Sequence, residues 1–335
     1  RTNIPVIQKT KTQNMKSNKL VYALSLIVLT GALALTSCKK KKEFKNEDGQ
    51  TSADSRNTQS ENDNAINDAN QVISDNSLLH GRVGGSQSIA GVLGNICGMT
   101  VDTNGLYKGT VTLNYNGTTC SNRTRTGAIR LTILSYTAGV RWKNVGAVLQ
   151  VDYLAYKVTR ASDGKSVELN GTQNVTNISG GTWFDLFFLG QANLAHKVTG
   201  NNLNVTFDGG STAVYNINRQ FTYSLPSGIL TCVGEGIGSH NSIYNLENYG
   251  TTRDGDAFTS EVTTPIVWNW TCGWWAPTQG AVDIRVDGKS FNLKVTFAVD
   301  QSGNVVSVAP NTCAYGFKVE WTYKKKTNKK IFGYW

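Results

Sequence analysis

The stretch VDIRVDGKSFNLKVTFAV limits the possible fold more than any other part of the chain. Val282, Ile284 and Val286 alternate with Asp283 and Arg285. After Asp287-Gly288, the residues Phe291, Leu293, Val295, Phe297 and Val299 alternate with Asn292, Lys294 and Thr296. Successive side chains of a strand point to opposite faces, so each run has one apolar and one polar side. Alternating runs about an Asp-Gly turn are the strongest short-range hairpin signal. The same period recurs elsewhere. LNVTFDGGSTAVYNI reads as a hairpin turning at Asp208 to Ser211. YKGTVTLNY sets Tyr107, Val111, Leu113 and Tyr115 on one face, and AIRLTIL does so with Ile129, Leu131 and Ile133. Residues 147–159 and 165–178 read as further strands about Asp163-Gly164. No helical period survives three turns, although WFDLFFLGQANL is ambiguous between helix and strand. The expectation is an all-β domain over residues 79–335, a large antiparallel β-sandwich or meander with one covered face. A lipid-facing barrel is the rival reading, and it requires an apolar outer band on every strand.

The residues ahead of this domain have a different character. Met15 is followed by Lys16 and Lys19 and then by the apolar run LVYALSLIVLTGALAL, from Leu20 to Leu35. A basic start, a short apolar run and small residues before a cleavage point make residues 15–37 a secretory signal peptide. The run is too short and too soon followed by Lys39 to span a bilayer well. Residues 1–14 read as translated from ahead of the true start. Leu35-Thr36-Ser37-Cys38 resembles a bacterial lipobox, in which the cysteine thiol receives a diacylglycerol and becomes the mature N-terminus. Cys38 is therefore expected to be an anchor, and two or more acyl chains hold a protein on a bilayer stably. Lys39 to Lys42 add attraction to anionic headgroups of about 1 kcal/mol per charge near the surface. Cysteine followed by a lysine run resembles lipoproteins of the Bacteroidota, which implies outer-membrane localisation. Residues 38–78 are then the lipidated cysteine and a flexible polar spacer, since NEDGQTSADSRNTQSENDNAINDANQVISDN is nearly devoid of large apolar residues. A short helix from Ala65 to Ser74 is the one local structure it suggests.

The formal net charge of +10 looks like a nucleic-acid signal until it is divided along the chain. Five basic and no acidic residues fall in 1–37, so half of that charge belongs to the leader. The rest is dispersed, with no basic patch interleaved with recognition motifs, and nucleic-acid binding is not expected.

Cysteine in an exported chain is used by default for disulfides. Cys97 and Cys120 bracket a strand, and Cys272 and Cys313 bracket the hairpin described above. These two pairings are expected, with Cys232 left over. There is no Cys-x-x-Cys, and His80, His196 and His240 sit near none of these pairs, so neither metal nor cofactor is expected. CSNRTRTGAIRLTI, a polar loop with arginines leading to a strand, resembles uncharacterised Bacteroidota cell-envelope lipoproteins. In those it is followed by a Gly-Thr element, matched here by LNGTQNVTN, and by a late cysteine pair. The resemblance implies an envelope location and a β-rich fold, and it carries no catalytic residues to this chain.

Catalytic groups are sparse. Ser239 beside His240 in GIGSHN does not form G-x-S-x-G. Asp254 and Asp256 in RDGDAF lack the spaced ligands of a calcium loop and read as a turn. A hydrolase would require one of them to meet a second carboxylate such as Glu261. The stretch with recognition character is VWNWTCGWW. Trp268 and Trp270 are two apart and would share a strand face, with Trp274 and Trp275 just beyond. Flat aromatic faces stack on sugar rings, while packing over a disulfide is the alternative use of the same residues. The sequence thus implies a non-catalytic outer-membrane lipoprotein with a structural, adhesion or binding role. Its partners are the membrane, through the N-terminal lipid, and either envelope proteins or a polysaccharide held by the tryptophans.

Overall fold

The computed structural model describes residues 46–81, 88–290, 292–307, 312–323 and 325–334. Cys38, its signal sequence and the lysine run lie outside the described residues. The domain is β-rich, as expected: among the described residues fifteen strands form one large antiparallel sheet in a mostly meandering order, consistent with a β-sandwich or meander. The strands are β1 (Met99–Asp102), β2 (Thr110–Cys120), β3 (Arg123–Ile133), β4 (Val148–Arg160), β5 (Ser166–Asn177), β6 (Asn193–Phe207), β7 (Thr212–Ser224), β8 (Thr231–Gly236), β9 (Gly238–His240), β10 (Ile243–Thr251), β11 (Ala257–Asn269), β12 (Gln279–Val286), β13 (Leu293–Val299), β14 (Gly316–Tyr323) and β15 (Lys326–Gly333). Neighbours in sequence are neighbours in the sheet, except between β7 and β11. There β8 fills one half of the slot and β10 the other, laid end to end. Among the described residues no pairing joins β1 to β15, so the sheet has two ends.

The alternation in the sequence maps onto the sheet. Ile284 pairs with Leu293 and Val282 with Val295, all buried, across the turn at Asp287-Gly288. The β6–β7 hairpin turns at 208–211 as the sequence implies. Val111, Leu113, Tyr115, Ile129, Leu131 and Ile133 face the interior. Tyr107 does not: it lies in a 3₁₀ turn, Leu106–Lys108, and is 71% exposed, because Gly109 ends that turn before the strand begins. On the other face β5 offers Glu168, Asn170, Thr172, Asn174 and Thr176 between its buried residues, a polar row where a lipid-facing barrel needs an apolar one. The ambiguous segment resolves into both states, a short helix Trp183–Phe188 and then the start of β6.

The spacer expected to be flexible is the structural surprise. Residues Asn46–Asp75 form one 30-residue helix, α1, and the sheet curls around it. Ala65, Ile66, Ala69 and Ile73 join the hydrophobic core, but most of the buried helix is polar: Ser52, Ser55, Thr58, Gln59, Glu61, Asn62, Asp63 and Asn70 are all nearly inaccessible. Their partners come from strands all around the helix. Tyr153 on β4 and Gln173 on β5 both donate to Asn62 Oδ1 (2.9 and 2.5 Å). Tyr223 on β7 donates to Asn67 Oδ1 (3.0 Å), and Asn248 on β10 to Gln59 Oε1 (3.1 Å). Arg253, in the turn after β10, grips Asp54 through two nitrogens at 2.5 and 2.8 Å. A helix this polar is not stable by propensity in water. These contacts with the wall help to hold it, so ordering the chain does not depend on apolar area alone, although Ser52 Oγ, Asn62 Nδ2, Asp63 Oδ2 and Asn70 Oδ1 are buried without a hydrogen-bond partner. Among the described residues no helix is long and apolar enough to cross a membrane.

Candidate functional site

Four charged groups meet where α1 crosses the middle of the sheet. Arg219 on β7 donates to Asp63 (2.5 Å) and its Nε lies 3.8 Å from Glu247 on β10. Glu247 is also paired with Arg56 of α1, which donates in addition to Ser260 Oγ (3.0 Å). The order of charges is positive, negative, positive, negative. Burial alone pushes Glu247 up, but Arg56 and Arg219 together outweigh it and hold the carboxyl below its ordinary value. The quartet fixes the rotation and height of α1 against the wall. It is structural: each arginine holds carboxylates from α1 or the wall, although Arg56 Nε and Arg219 Nη2 are buried without a hydrogen-bond partner.

One stripe of α1 borders clefts, although Asn64 and Gln71 within it are themselves buried. Asn57, Ser60, Asn64, Asp68, Gln71 and Asp75 follow one another at three- and four-residue steps, so they line one side of the helix. From Asn57 to Asp75 the stripe runs about 27 Å at the helical rise of 1.5 Å per residue. Three clefts succeed one another along it. The first includes Asn57, Ser60, Trp268 and Trp275. The second includes Asn64, Asp68, Trp270 and Trp275. The third includes Gln71 and Asp75. Trp275 is common to the first and second, and Gln71 to the second and third.

The middle cleft is the best-built of the three. Its walls combine the stripe, the Cys97–Cys120 disulfide at the tip of the β2–β3 hairpin, and the segment after β11 that carries the tryptophans. That segment is rigid for identifiable reasons. Asn269 caps the 3₁₀ turn Trp270–Cys272 by accepting from the Cys272 amide (3.1 Å), and the Cys272–Cys313 disulfide ties the turn down. Gly273 then has φ +78°, and a Cβ there would fall 2.4 Å from the Trp275 ring, so the indole folds back over a glycine that no other residue can replace without moving it. Both expected disulfides are present, and Cys232 is a free, buried thiol whose pKa burial pushes well up.

Two arginines of β3 reach the cleft. Arg125 donates to Asp68 (2.6 Å) and to the Cys97 carbonyl (3.1 Å), while Tyr115 donates to the same carboxylate (2.7 Å). Burial pushes Asp68 up against the pull of Arg125 and Tyr115. Arg123 spends only its Nε, on Glu61 (2.9 Å). Its guanidinium lies 4.7 Å from the centre of the Trp275 ring, and both terminal nitrogens are buried without a hydrogen-bond partner.

The four tryptophans do not make one platform. Trp268 and Trp274 are each 4% exposed. Trp268 packs on Phe221 (6.1 Å) beneath the Arg219 guanidinium (5.4 Å), and Trp274 packs on Trp183 (6.0 Å) and Tyr223 (6.5 Å). Trp268 and Trp270 do not share a strand face, because β11 ends at Asn269 and the 3₁₀ turn rotates Trp270 away. Trp270, Trp274 and Trp275 all line the middle cleft, and of these Trp270 and Trp275 are half-buried while Trp274 is buried. The stripe of α1 and Arg123 were missed in the sequence. A signal did exist: Arg123 and Arg125 occupy the same parity of β3 as Ile129, Leu131 and Ile133, and so are inward-facing charges.

The remaining candidates stay apart. His240 stacks on Tyr249 (4.4 Å, 9°) near the short β9 edge. Asp254 sits in the turn between β10 and β11, and Glu261 pairs with Arg285 (2.7 Å). Among the described residues no group of three His, Cys, Asp or Glu side chains comes together as a metal site. No protein-family model matches the chain, and neither a curated protein nor a solved structure matches it.

Proposed function

We propose that this chain is a lipoprotein of the bacterial outer membrane, anchored through Cys38, whose β-rich domain binds a ligand and performs no catalysis. The ligand class that suits the middle cleft is a glycan. One observation carries this reading: two half-buried indoles, Trp270 and Trp275, share a cleft with the polar side chains of α1. Indole faces suit the apolar faces of sugar rings, and carboxamides such as Asn64 and Gln71 both donate and accept, as sugar hydroxyls require. The charged side chains around them, Glu61, Asp68, Arg123 and Arg125, are committed to ion pairs with one another, which suits positioning more than proton transfer.

The test uses the full mature chain, with α1 in place, against peptidoglycan and a panel of polysaccharides. Trp270→Ala/Trp275→Ala should abolish saturable binding and leave the unfolding midpoint within a few degrees of wild type. Trp268 is unsuitable for this purpose, since its truncation would open the core. Absence of binding by the wild type would refute the glycan reading and leave an adhesion or scaffold role with a protein partner. The anchor is tested separately by labelling cells with an alkynyl palmitate: label and membrane association should both be lost in Cys38→Ala.

A further inference from the structure

We infer that the glycan taken by the middle cleft carries carboxylates, and that Arg123 is the residue that recognises them. The inference rests on the glycan reading above and adds to it the charge of the ligand. Arg123 is 5% exposed, and its terminal nitrogens carry N–H donors with no partner. Buried donors left unpaired are costly, and such a group in a folded protein needs a reason. Arg125, only two residues away and on the same parity of β3, shows what full use of a guanidinium looks like here: an ion pair from one terminal nitrogen and a carbonyl contact from the other. Arg123 instead has its Nε held by Glu61, which orients the group, while the fork that matches a carboxylate bidentately is unused.

Trp275 gives the fork its access. The indole lies over the guanidinium at 4.7 Å and also separates the first cleft from the second. A ring that stacks on a guanidinium in the free protein exchanges that contact for a sugar face when the chain enters, and its movement uncovers the buried fork for the carboxylate on that sugar. The neutral sum of Glu61, Asp68, Arg123 and Arg125 keeps the cleft from attracting polyanions indiscriminately. Selection therefore falls to the oriented fork and not to a general positive field.

Polygalacturonate, alginate and hyaluronate, each beside its own methyl ester, separate these effects, because esterification removes the charge and keeps the rings. At least one of the acids should bind the wild type tenfold or more tightly than its ester, a difference of about 1.4 kcal/mol. Arg123→Lys keeps the positive charge beside Glu61 but has no fork, and should bring acid and ester to equal affinity. Should that variant fail to fold, the acid-to-ester ratio on wild type decides alone. Equal binding of acid and ester by the wild type overturns the role of Arg123 and leaves the glycan reading standing. Binding of neither overturns both. Dextran sulfate binding as tightly as the uronates would also overturn the inference, as a response to polyanions in general.

Discussion

Replacing Asp63 by Asn tests whether α1 is held in the sheet by its charges. Asp63 and Arg219 are 2% and 0% exposed, Glu247 is 0% and Arg56 5%, so the four charges share a dry interior and sum to zero. Asp63→Asn preserves volume and leaves a net positive charge on the other three. Removing one partner of a buried pair costs about 3–5 kcal/mol, because the remaining charge stays desolvated. For a domain of this size each kcal/mol lowers the unfolding midpoint by about 2–4 °C, so a fall of roughly 6–20 °C is expected. Arg219→Met should cost as much, since it strands Asp63 and halves the support of Glu247. The double variant is the informative one. It leaves Arg56 and Glu247 as a neutral pair, so its cost should fall short of the sum of the singles by at least 1 kcal/mol, within the range of about 0.5–3 kcal/mol found for residues in one network. Urea melts of the four proteins, with m checked for constancy, give the cycle. A cost below about 1 kcal/mol for Asp63→Asn, or additivity within about 0.5 kcal/mol, would refute the reasoning.

The same logic predicts that residues 79–335 alone will not unfold cooperatively in urea, since Arg123 loses Glu61, Arg125 loses Asp68 and Arg219 loses Asp63 together; a single sharp transition for that fragment would contradict it. His196, fully buried between Trp142 (5.1 Å) and Tyr223 (5.3 Å), has its pKa pushed down to about 3 by desolvation. Its folded value lies below the unfolded one of about 6.5, so its contribution to stability is complete above pH 6.5 and is lost as pH falls toward 3. Wild type should therefore lose roughly 2 kcal/mol relative to His196→Phe between pH 6.5 and 4.5, read from paired melts. Cys97→Ala/Cys120→Ala and Cys272→Ala/Cys313→Ala each open a loop, of 23 and 41 residues by sequence separation, and should each cost roughly 3–4 kcal/mol in non-reducing melts. Gly273→Ala should displace Trp275 and shift tryptophan fluorescence to longer wavelength, and an unchanged spectrum would contradict the packing described.

The sheet was legible because its information is local. Period two and the turn at Asp287-Gly288 are written in adjacent residues, and the pairing Ile284 to Leu293 follows from them. The disulfides were legible because each cysteine pair brackets a hairpin or a strand. The helix was not legible, because what orders it lies elsewhere in the chain. Asn62 is an unremarkable polar residue until Tyr153 and Gln173, about a hundred residues away, turn toward it. Rules for disorder count apolar residues on the assumption that burial is the main source of order; here hydrogen bonds and ion pairs to a surrounding wall supply much of it. The counterpart signal sat in the strands. In TAVYNINRQFTYS the inward row reads Ala213, Tyr215, Ile217, Arg219, Phe221 and Tyr223, and an arginine in that row announces a buried acid to meet it. The cleft was half legible: the tryptophan cluster marks its place, while the turn at Trp270 and the identity of the opposite wall depend on the helix.

A polar helix inside a sheet is a poor way to gain stability and a good way to gain a single arrangement. An apolar helix could rotate or slide within the same space at small cost, whereas each buried charge of α1 has one address on the wall, and a displacement of one turn would strand several at once. That specificity bears on the proposed function: it keeps Asn64, Asp68 and Gln71 in fixed positions along the cleft that Trp270 and Trp275 also line, so the helix wall of the cleft is built before a ligand arrives and only the Trp275 ring has to move.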